Sequence, residues 1–231
     1  METVAVLILN YKRPTNITDH ILPTLLSNPL VSTIVIAHGL QETVFGADPL
    51  TDGGIHRDGK IVHVGDFQEN QKVGCFRRWT LIAKLHERGL LQERYIHSQD
   101  DDLVFDSDAL SILLHTYKEG KGTLISGVPG RTYVGGRYHF DDCRRYCPIV
   151  LGRSIFTEVE VICAALPSAS IPMEILKQDD ICLSFLLLNR HYSVNCVFTE
   201  LPAPFALSEN KRAHWEKRNA AVRFCLEALS V

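Results

Sequence analysis

Asp100-Asp101-Asp102 follows the short β-type run Arg94–Ser98 and is the sharpest chemical feature of the chain. Adjacent carboxylates repel one another and stay ionised together only beside a cation or hydrogen-bond donors. A hard divalent ion, Mn²⁺ or Mg²⁺, meets that demand: it takes one or two carboxylates and fills its octahedron with phosphate oxygens and water. Open α/β sheets take ligands beyond the carboxyl ends of their strands, so acids placed there line a crevice. Strand alternation puts Asp100 and Asp102 on one side and Asp101 on the other. The plainer reading is a solvated acidic turn capping the next helix, a task Asp106 or Ser107 meets alone. A second cluster, Gln178-Asp179-Asp180, opens a helical run, where free N–H groups and the helix dipole stabilise carboxylates, so capping competes with chemistry. Two adjacent aspartates exceed what a cap needs and favour a role at a reacting centre.

The elements that carry these clusters follow from periodicity. Val4–Leu9 is a β-branched apolar run that suits a strand buried on both faces, and Pro14 ends it. A helix follows over Thr15–Ser27, with a kink expected at Pro23. Thr33–Ala37 and Lys60–Val64 read as strands, and Asp48–Gly59 as a surface loop between them. The spacing of Val73, Phe76, Trp79, Thr80, Ala83 and Leu85 predicts one amphipathic helix over Gln71–Arg88, capped by Gly89. Ser107–Glu119 reads as a helix, Thr123–Gly127 as a strand, Val128–Cys147 as an irregular hairpin or loop, and Ile149–Leu151 as a return to the sheet. Helix Asp179–Arg190, strand Ser193–Thr199 and helix Lys211–Leu229 complete the chain. Strands alternating with helices predict an α/β layered domain.

At 231 residues, with 45% hydrophobic and 22% charged residues, the chain has the length and composition of one globular domain. A net charge of -3 leaves no general basic footprint, so nucleic acid is not an expected partner. No apolar stretch approaches the roughly 18 residues of a membrane helix. The first apolar run is too short for a secretory signal and lacks a basic flank, which predicts a cytoplasmic protein. Cysteines 75, 143, 147, 163, 182, 196 and 225 are scattered; Cys143 and Cys147 lie close, but no second pair completes a zinc set, so reduced thiols are expected. Asn16-Ile17-Thr18 matches the glycosylation sequon and reads as accidental.

Four segments, taken in order, resemble nucleotide-sugar glycosyltransferases of the GT-A fold, and within them the exostosin-like group. Leu7-Ile8-Leu9-Asn10-Tyr11-Lys12-Arg13-Pro14 resembles the first strand and nucleotide-contacting loop, although Asn10-Tyr11-Lys12 stands where Tyr-Asn is commoner. Ser98-Gln99-Asp100-Asp101-Asp102 is similar to the metal- and diphosphate-binding DxD motif, with Gln99 where an apolar residue is usual. Lys177-Gln178-Asp179-Asp180-Ile181-Cys182-Leu183-Ser184-Phe185 resembles the Asp-Asp-Ile segment beside acceptor and sugar. His214-Trp215-Glu216-Lys217-Arg218 resembles the stretch that closes over the diphosphate. The segment Asp48–Gly59 matches no part of the pattern.

That resemblance implies a single GT-A domain over residues 1–231, a Rossmann-like mixed sheet flanked by helices. Its nucleotide-binding part spans about residues 1–105, and an acceptor and C-terminal closing part about 106–231. It implies a metal-dependent transferase that moves sugar from a nucleotide-sugar donor, a UDP-sugar, to a glycan or other hydroxyl acceptor. Asp102 is then the first candidate for metal contact, with Asp100 nearer the ribose or a metal-bound water and Asp101 in the same donor site. His214 is a metal or diphosphate contact or surface decoration, and Arg218 shares its face. Arg77 and Arg78 supply guanidinium to phosphate, one of the two being a solvated helix charge. Tyr11 flanks the nucleobase or simply packs, while Asn10 or Arg13 bonds it. Asp180 lies near the anomeric carbon, as general base in an inverting enzyme or as charge stabiliser in a retaining one, and Asp179 orients the acceptor or caps the helix.

Three rival functions fit part of the same pattern. A haloacid-dehalogenase-type phosphatase fits Asp100-Asp101-Asp102-Leu103-Val104 but usually carries its nucleophile near the N-terminus. A non-catalytic nucleotide- or carbohydrate-binding module on the same fold would keep the crevice without the turnover. A nucleotidyltransferase also pairs carboxylates with a metal, but the Gly-rich, Lys-containing loop it normally shows near its first strand is missing from this sequence.

Overall fold

The structure is a computed structural model and describes residues 2–47, 49–120, 123–144, 146–166, 171–189, 194–196 and 211–229. The chain opens on β1 (Val4–Asn10), a wholly buried strand. Helix α1 (Pro14–Asn16), a π-helical segment Ile17–Ile21 and α2 (Leu22–Ser27) lead to β2 (Val31–His38). The kink expected at Pro23 is a change of helical register: Leu22 N–H bonds Ile17 O, five residues back, and Pro23 falls in the first turn of α2, where its missing N–H is not needed.

The segment expected to be loop up to Gly59 contains β3 (Ile55–Asp58), which turns at Gly59 to pair antiparallel with β4 (Ile61–Gly65). It is an edge strand of mostly exposed His, Arg and Asp, with no apolar alternation to announce it. The single helix expected over Gln71–Arg88 is also corrected. It starts earlier, as α3 (Phe67–Val73), breaks in a 3₁₀ turn Gly74–Phe76, and resumes as α4 (Arg77–Glu87). Gly74 makes the break at φ 58°, ψ −131°, a conformation open in practice to glycine alone. Gly89, at φ 68°, ends α4, its N–H bonding His86 O.

Next come β5 (Tyr95–Asp100), α5 (Ala109–Lys118), β6 (Leu124–Ser126) and a hairpin of β7 (Gly130–Val134) and β8 (Arg137–Cys143). Ile149–Leu151 does not rejoin the sheet. Ile149 only bridges Arg131 and, with Val150, is fully buried; the returning strand is β9 (Ser154–Glu158), followed by an unanticipated α6 (Val159–Ala165). The chain closes with α7 (Met173–Leu176), α8 (Asp179–Asn189), β10 (Val194–Cys196) and α9 (Lys211–Ala228).

Among the described residues eight strands form one sheet in the order β10-β6-β9-β5-β1-β2-β4-β3, with β9 and β3 antiparallel to their neighbours. Strand β1 shows why helices must cover both faces: Ala5, Leu7 and Leu9 join the cluster under α4, α6, α8 and α9. Val4, Val6 and Ile8 join the opposite cluster, under α2 and α5. The protein is therefore an α/β domain, a Rossmann-like mixed sheet between helices. Because β1, β2, β4 and β5 run parallel, Asn10, His38, Gly65 and Asp100 end together on one edge. Reduced thiols were expected throughout, yet Cys143 and Cys147 form a disulfide, with Cα atoms 5.8 Å apart. Among the described residues Cys75, Cys163, Cys182 and Cys225 are free. No helix among those residues is long and apolar enough to cross a membrane.

Candidate active site

Two adjoining cavities open at the carboxyl edge of the sheet. The first, of about 410 Å³, is walled by the loop after β1, by the Gly74 turn and by Asp100, Asp101 and Asp102. The second, of about 260 Å³, lies between the head of α8, the β7–β8 hairpin and α9. Cys75 and Asp100 line both.

The acidic triplet does not alternate as a strand would, because β5 ends at Asp100 and the next two residues turn. Arg13 Nη1 therefore bridges Asp101 Oδ1 at 3.1 Å and Asp102 Oδ2 at 2.9 Å. Asp100 faces the other way, its Oδ1 accepting from Arg78 Nη2 at 2.8 Å. Arg153 Nη2 adds a bond of 3.3 Å to Asp102. Burial raises the Asp101 carboxyl to about 6, against the pull of Arg13 and the Tyr11 N–H. Asp100 is the most open of the three, its side chain 29% exposed against 11% for each neighbour. Asn16 of the sequon donates to Asp101 O at 3.1 Å, so its amide serves the turn.

One of Arg77 and Arg78 was expected to be a solvated charge; both are buried, each 1% exposed. After the Gly74 break, the first two residues of α4 reach the carboxyl ends of β2 and β5. Arg77 donates to Ala37 O at 3.1 Å and to Asp66 at 3.4 Å, and lines the first cavity, its Nε unpartnered. Arg78 reaches Asp100, Ser98 Oγ, Gly152 O and Cys75 O, and stands 3.1 Å from Asp179. Burial opposes its charge, but Asp100 and Asp179 outweigh that and hold it above the ordinary arginine range. Arg78 thus ties the triplet to the second acidic cluster.

In that cluster Asp180 Oδ2 pairs with Arg218 Nη2 at 2.6 Å, and its Oδ1 accepts from Ile181 N at 2.9 Å. The Arg218 guanidinium lies 4.2 Å from the ring centroid of Tyr138, whose N–H bonds Asn219 Oδ1 at 2.7 Å. Phe140 stacks on Trp215 at 4.9 Å and 24°, and both remain more than a third exposed. The hairpin and α9 are thereby joined over the acids. Burial pushes Asp179 up to about 7, opposed by Arg78 and assisted by Asp180 and Asp100. Cys75 is exposed along the crevice, yet the protein packed around its sulfur and the nearby Asp179 push the thiol up to about 12.

Tyr11 is 43% exposed on the wall of the first cavity, with the Lys12 ammonium 5.1 Å from its ring centroid. Asn10 is fully buried instead, its Nδ2 on His38 Nδ1 and Thr43 O, both at 2.8 Å. It stands behind the cavity wall rather than in it. His38 Nε2 continues to His63 Nδ1 at 3.0 Å, and burial lowers His38 to about 3. Sequence reasoning missed this row; its signal was Asn10 and His38 at the ends of paired strands. The side chain of His214 lies outside the described residues. Among those residues no group of three His, Cys, Asp or Glu forms a metal cage by itself.

No family model matches the chain, and no curated protein matches it. Among solved structures, a crystal structure of 4-diphosphocytidyl-2C-methyl-D-erythritol synthase is similar. It covers 95% of this chain and 99% of its own at 13% identity, with a TM-score of 0.51. The likeness is one of fold. It matches the α/β sheet-and-helix architecture and, at that identity, says nothing of individual side chains.

Proposed function

We propose that the chain is a metal-dependent glycosyltransferase of GT-A type. It takes a nucleotide-sugar, a UDP-sugar, in the first cavity and a glycan or other hydroxyl acceptor in the second. The observation that carries this reading is the pair of adjoining cavities, each with its own aspartates, joined through buried Arg78. One cavity holding a charged leaving group beside another presenting a nucleophile is what group transfer between two substrates requires.

Asp100, the most open of the triplet, and Asp102, whose two oxygens face Arg13 and Arg153, would offer hard oxygen donors to Mn²⁺ or Mg²⁺, few enough to leave room for diphosphate. When bound there, the ion offsets the charge that builds on the departing diphosphate. Arg13 and Arg77 line the same cavity and supply fixed guanidinium donors toward phosphate, while Tyr11 offers a ring face to the base. Asp101, held by Arg13 and the Tyr11 N–H, fixes the loop after β1 against the triplet. Phe140, backed by the stacked Trp215, gives the second cavity an apolar rim on which a ring-shaped acceptor rests. His214 is assigned to the diphosphate side on resemblance alone.

A second reading, nucleotidyl transfer, is favoured by the fold shared with the diphosphocytidyl synthase. The loop after β1 speaks against it, since Tyr11-Lys12-Arg13-Pro14 has no glycine to let phosphates approach the backbone. Products separate the readings. With Mn²⁺, glycosyl transfer releases UDP from a UDP-sugar, whereas nucleotidyl transfer releases pyrophosphate from a nucleoside triphosphate and a sugar phosphate. Pyrophosphate without UDP release would reverse our assignment, and phosphate release from an aryl phosphate would favour a phosphatase.

A further inference from the structure

The acidic turn after β5 is held in two different ways. Arg13 and Arg153 meet Asp102 through its two carboxylate oxygens. A divalent ion would compete for those same oxygens, so the arginines cannot also define where the turn lies when an ion is bound. Gln99 grips the backbone instead. Strand alternation turns its side chain to the face of His97, opposite Asp100. There it is 1% exposed, and its Nε2 donates to Leu103 O at 3.1 Å. That bond closes the arc from Gln99 to Leu103, with Asp101 and Asp102 inside it. Both ends of the arc are fixed. Gln99 pairs with Ile8 of β1 on one side and Ser154 of β9 on the other. Leu103 is buried in a cluster with Phe105, Ala109 and Val128. An aliphatic side chain at position 99 would leave the Leu103 carbonyl without this donor. Asn16 Nδ2 adds a second backbone grip, at Asp101 O, from α1.

We propose that Gln99 is a positioning residue for the divalent ion. By fixing Leu103 O it sets the place of Asp102 relative to Asp100, and with it the affinity of the two carboxylates for Mn²⁺ or Mg²⁺. This rests on the metal-dependent reading above and adds to it a residue that touches neither ion nor substrate. Asp100 needs no such help: it ends a strand, pairs with Leu9 of β1, and its N–H bonds Arg153 O at 3.1 Å. Asp102 lies beyond the strand, so the turn places its carboxylate. Mg²⁺ in particular demands a near-ideal octahedron and tolerates little error in the spacing of its donors. Losing an outer support of a metal ligand typically lowers metal affinity about 10–100-fold. Such a loss shows only when metal is present, whereas a general weakening of the fold lowers nucleotide affinity with and without it.

The test uses the whole chain with Gln99→Met, which keeps the length of the side chain but has no donor. Gln99→Asn, which keeps an amide one methylene short of Leu103 O, is the second variant. Thermal melts show which variants fold, and calorimetry reads UDP affinity in Mn²⁺ and in EDTA. In each variant UDP affinity in Mn²⁺ falls about tenfold or more, while affinity in EDTA stays within about twofold of the parent's. Variants that keep the parent's affinity in Mn²⁺ to within about threefold overturn the assignment and leave the metal reading standing. Equal losses in Mn²⁺ and in EDTA overturn it too, as does failure of both variants to fold, since Gln99 would then serve the fold alone. If the parent itself binds UDP equally in Mn²⁺ and in EDTA, the metal reading fails and this assignment falls with it.

Discussion

Replacing Arg218 with methionine keeps most of the side-chain volume but leaves Asp180 without its partner. The pair is buried, each side chain 7% exposed, with Nη2 to Oδ2 at 2.6 Å. Removing one member of a buried ion pair typically costs about 3–5 kcal/mol, mainly by stranding the other charge. Loss of the guanidinium from the Tyr138 face, 4.2 Å away, adds about 0.5–2 kcal/mol. For a domain of this size about 4 kcal/mol corresponds to a fall in Tm of roughly 8–16 °C. Asp180→Asn alone carries a similar penalty, because it leaves Arg218 buried. The double variant Asp180→Asn/Arg218→Met recovers a large part of the loss, since no charge remains stranded. Urea denaturation of the four proteins closes the cycle. Independent, additive losses of less than about 1 kcal/mol each would refute the claim that this pair locks α9 and the hairpin over the acids.

Gly74→Ala forces φ 58°, ψ −131° on an L residue and should cost about 1–3 kcal/mol, with UDP affinity reduced because Arg77 and Arg78 are displaced; calorimetry reads both. Phe140→Ala removes the cavity face of the aromatic rim and is expected to raise acceptor KM several-fold while leaving UDP affinity unchanged, as steady-state kinetics would show. Stability against pH carries opposing contributions. His38 and His97, both lowered by burial to about 3 from 6.5, destabilise the fold as pH falls below 6.5, because the unfolded chain binds the protons. Asp179, raised from 3.8 to about 7, acts with the opposite sign and stabilises the fold as pH falls through that window. Urea midpoints of Asp179→Asn should therefore drop more steeply than the parent's between pH 7 and pH 4; parallel curves would contradict the shift.

Much of this arrangement was legible in the residues. The β-branched run Val4–Leu9 marked a strand covered on both faces, the acidic triplet stood at the end of a strand-forming run, and the second acidic pair stood at the head of a helical one. What escaped depended on contacts distant in sequence. Arg77 and Arg78 fit a solvated helix as well as a buried one until their contacts with Ala37 O and Asp100 across the sheet edge are seen. The periodicity of Val73, Phe76 and Trp79 ran through that glycine because its apolar face continues across the break. β3 has no hydrophobic alternation, since an edge strand there buries little. The unequal state of Asp179 and Asp180 follows from Arg218, 38 residues away, which no local pattern reports. The Cys143–Cys147 bridge closes where β8 ends, which its spacing alone did not require.

The central claim is that the aspartates ending β5 hold a divalent ion that binds a nucleoside diphosphate. Titration calorimetry of UDP into the chain, with Mn²⁺ or with EDTA, tests it most directly. The account predicts binding with Mn²⁺ that weakens at least about tenfold with EDTA, and loss of that metal dependence in both Asp100→Ala and Asp102→Ala. Equal UDP affinity with and without Mn²⁺, or an unchanged response in the two variants, would contradict it.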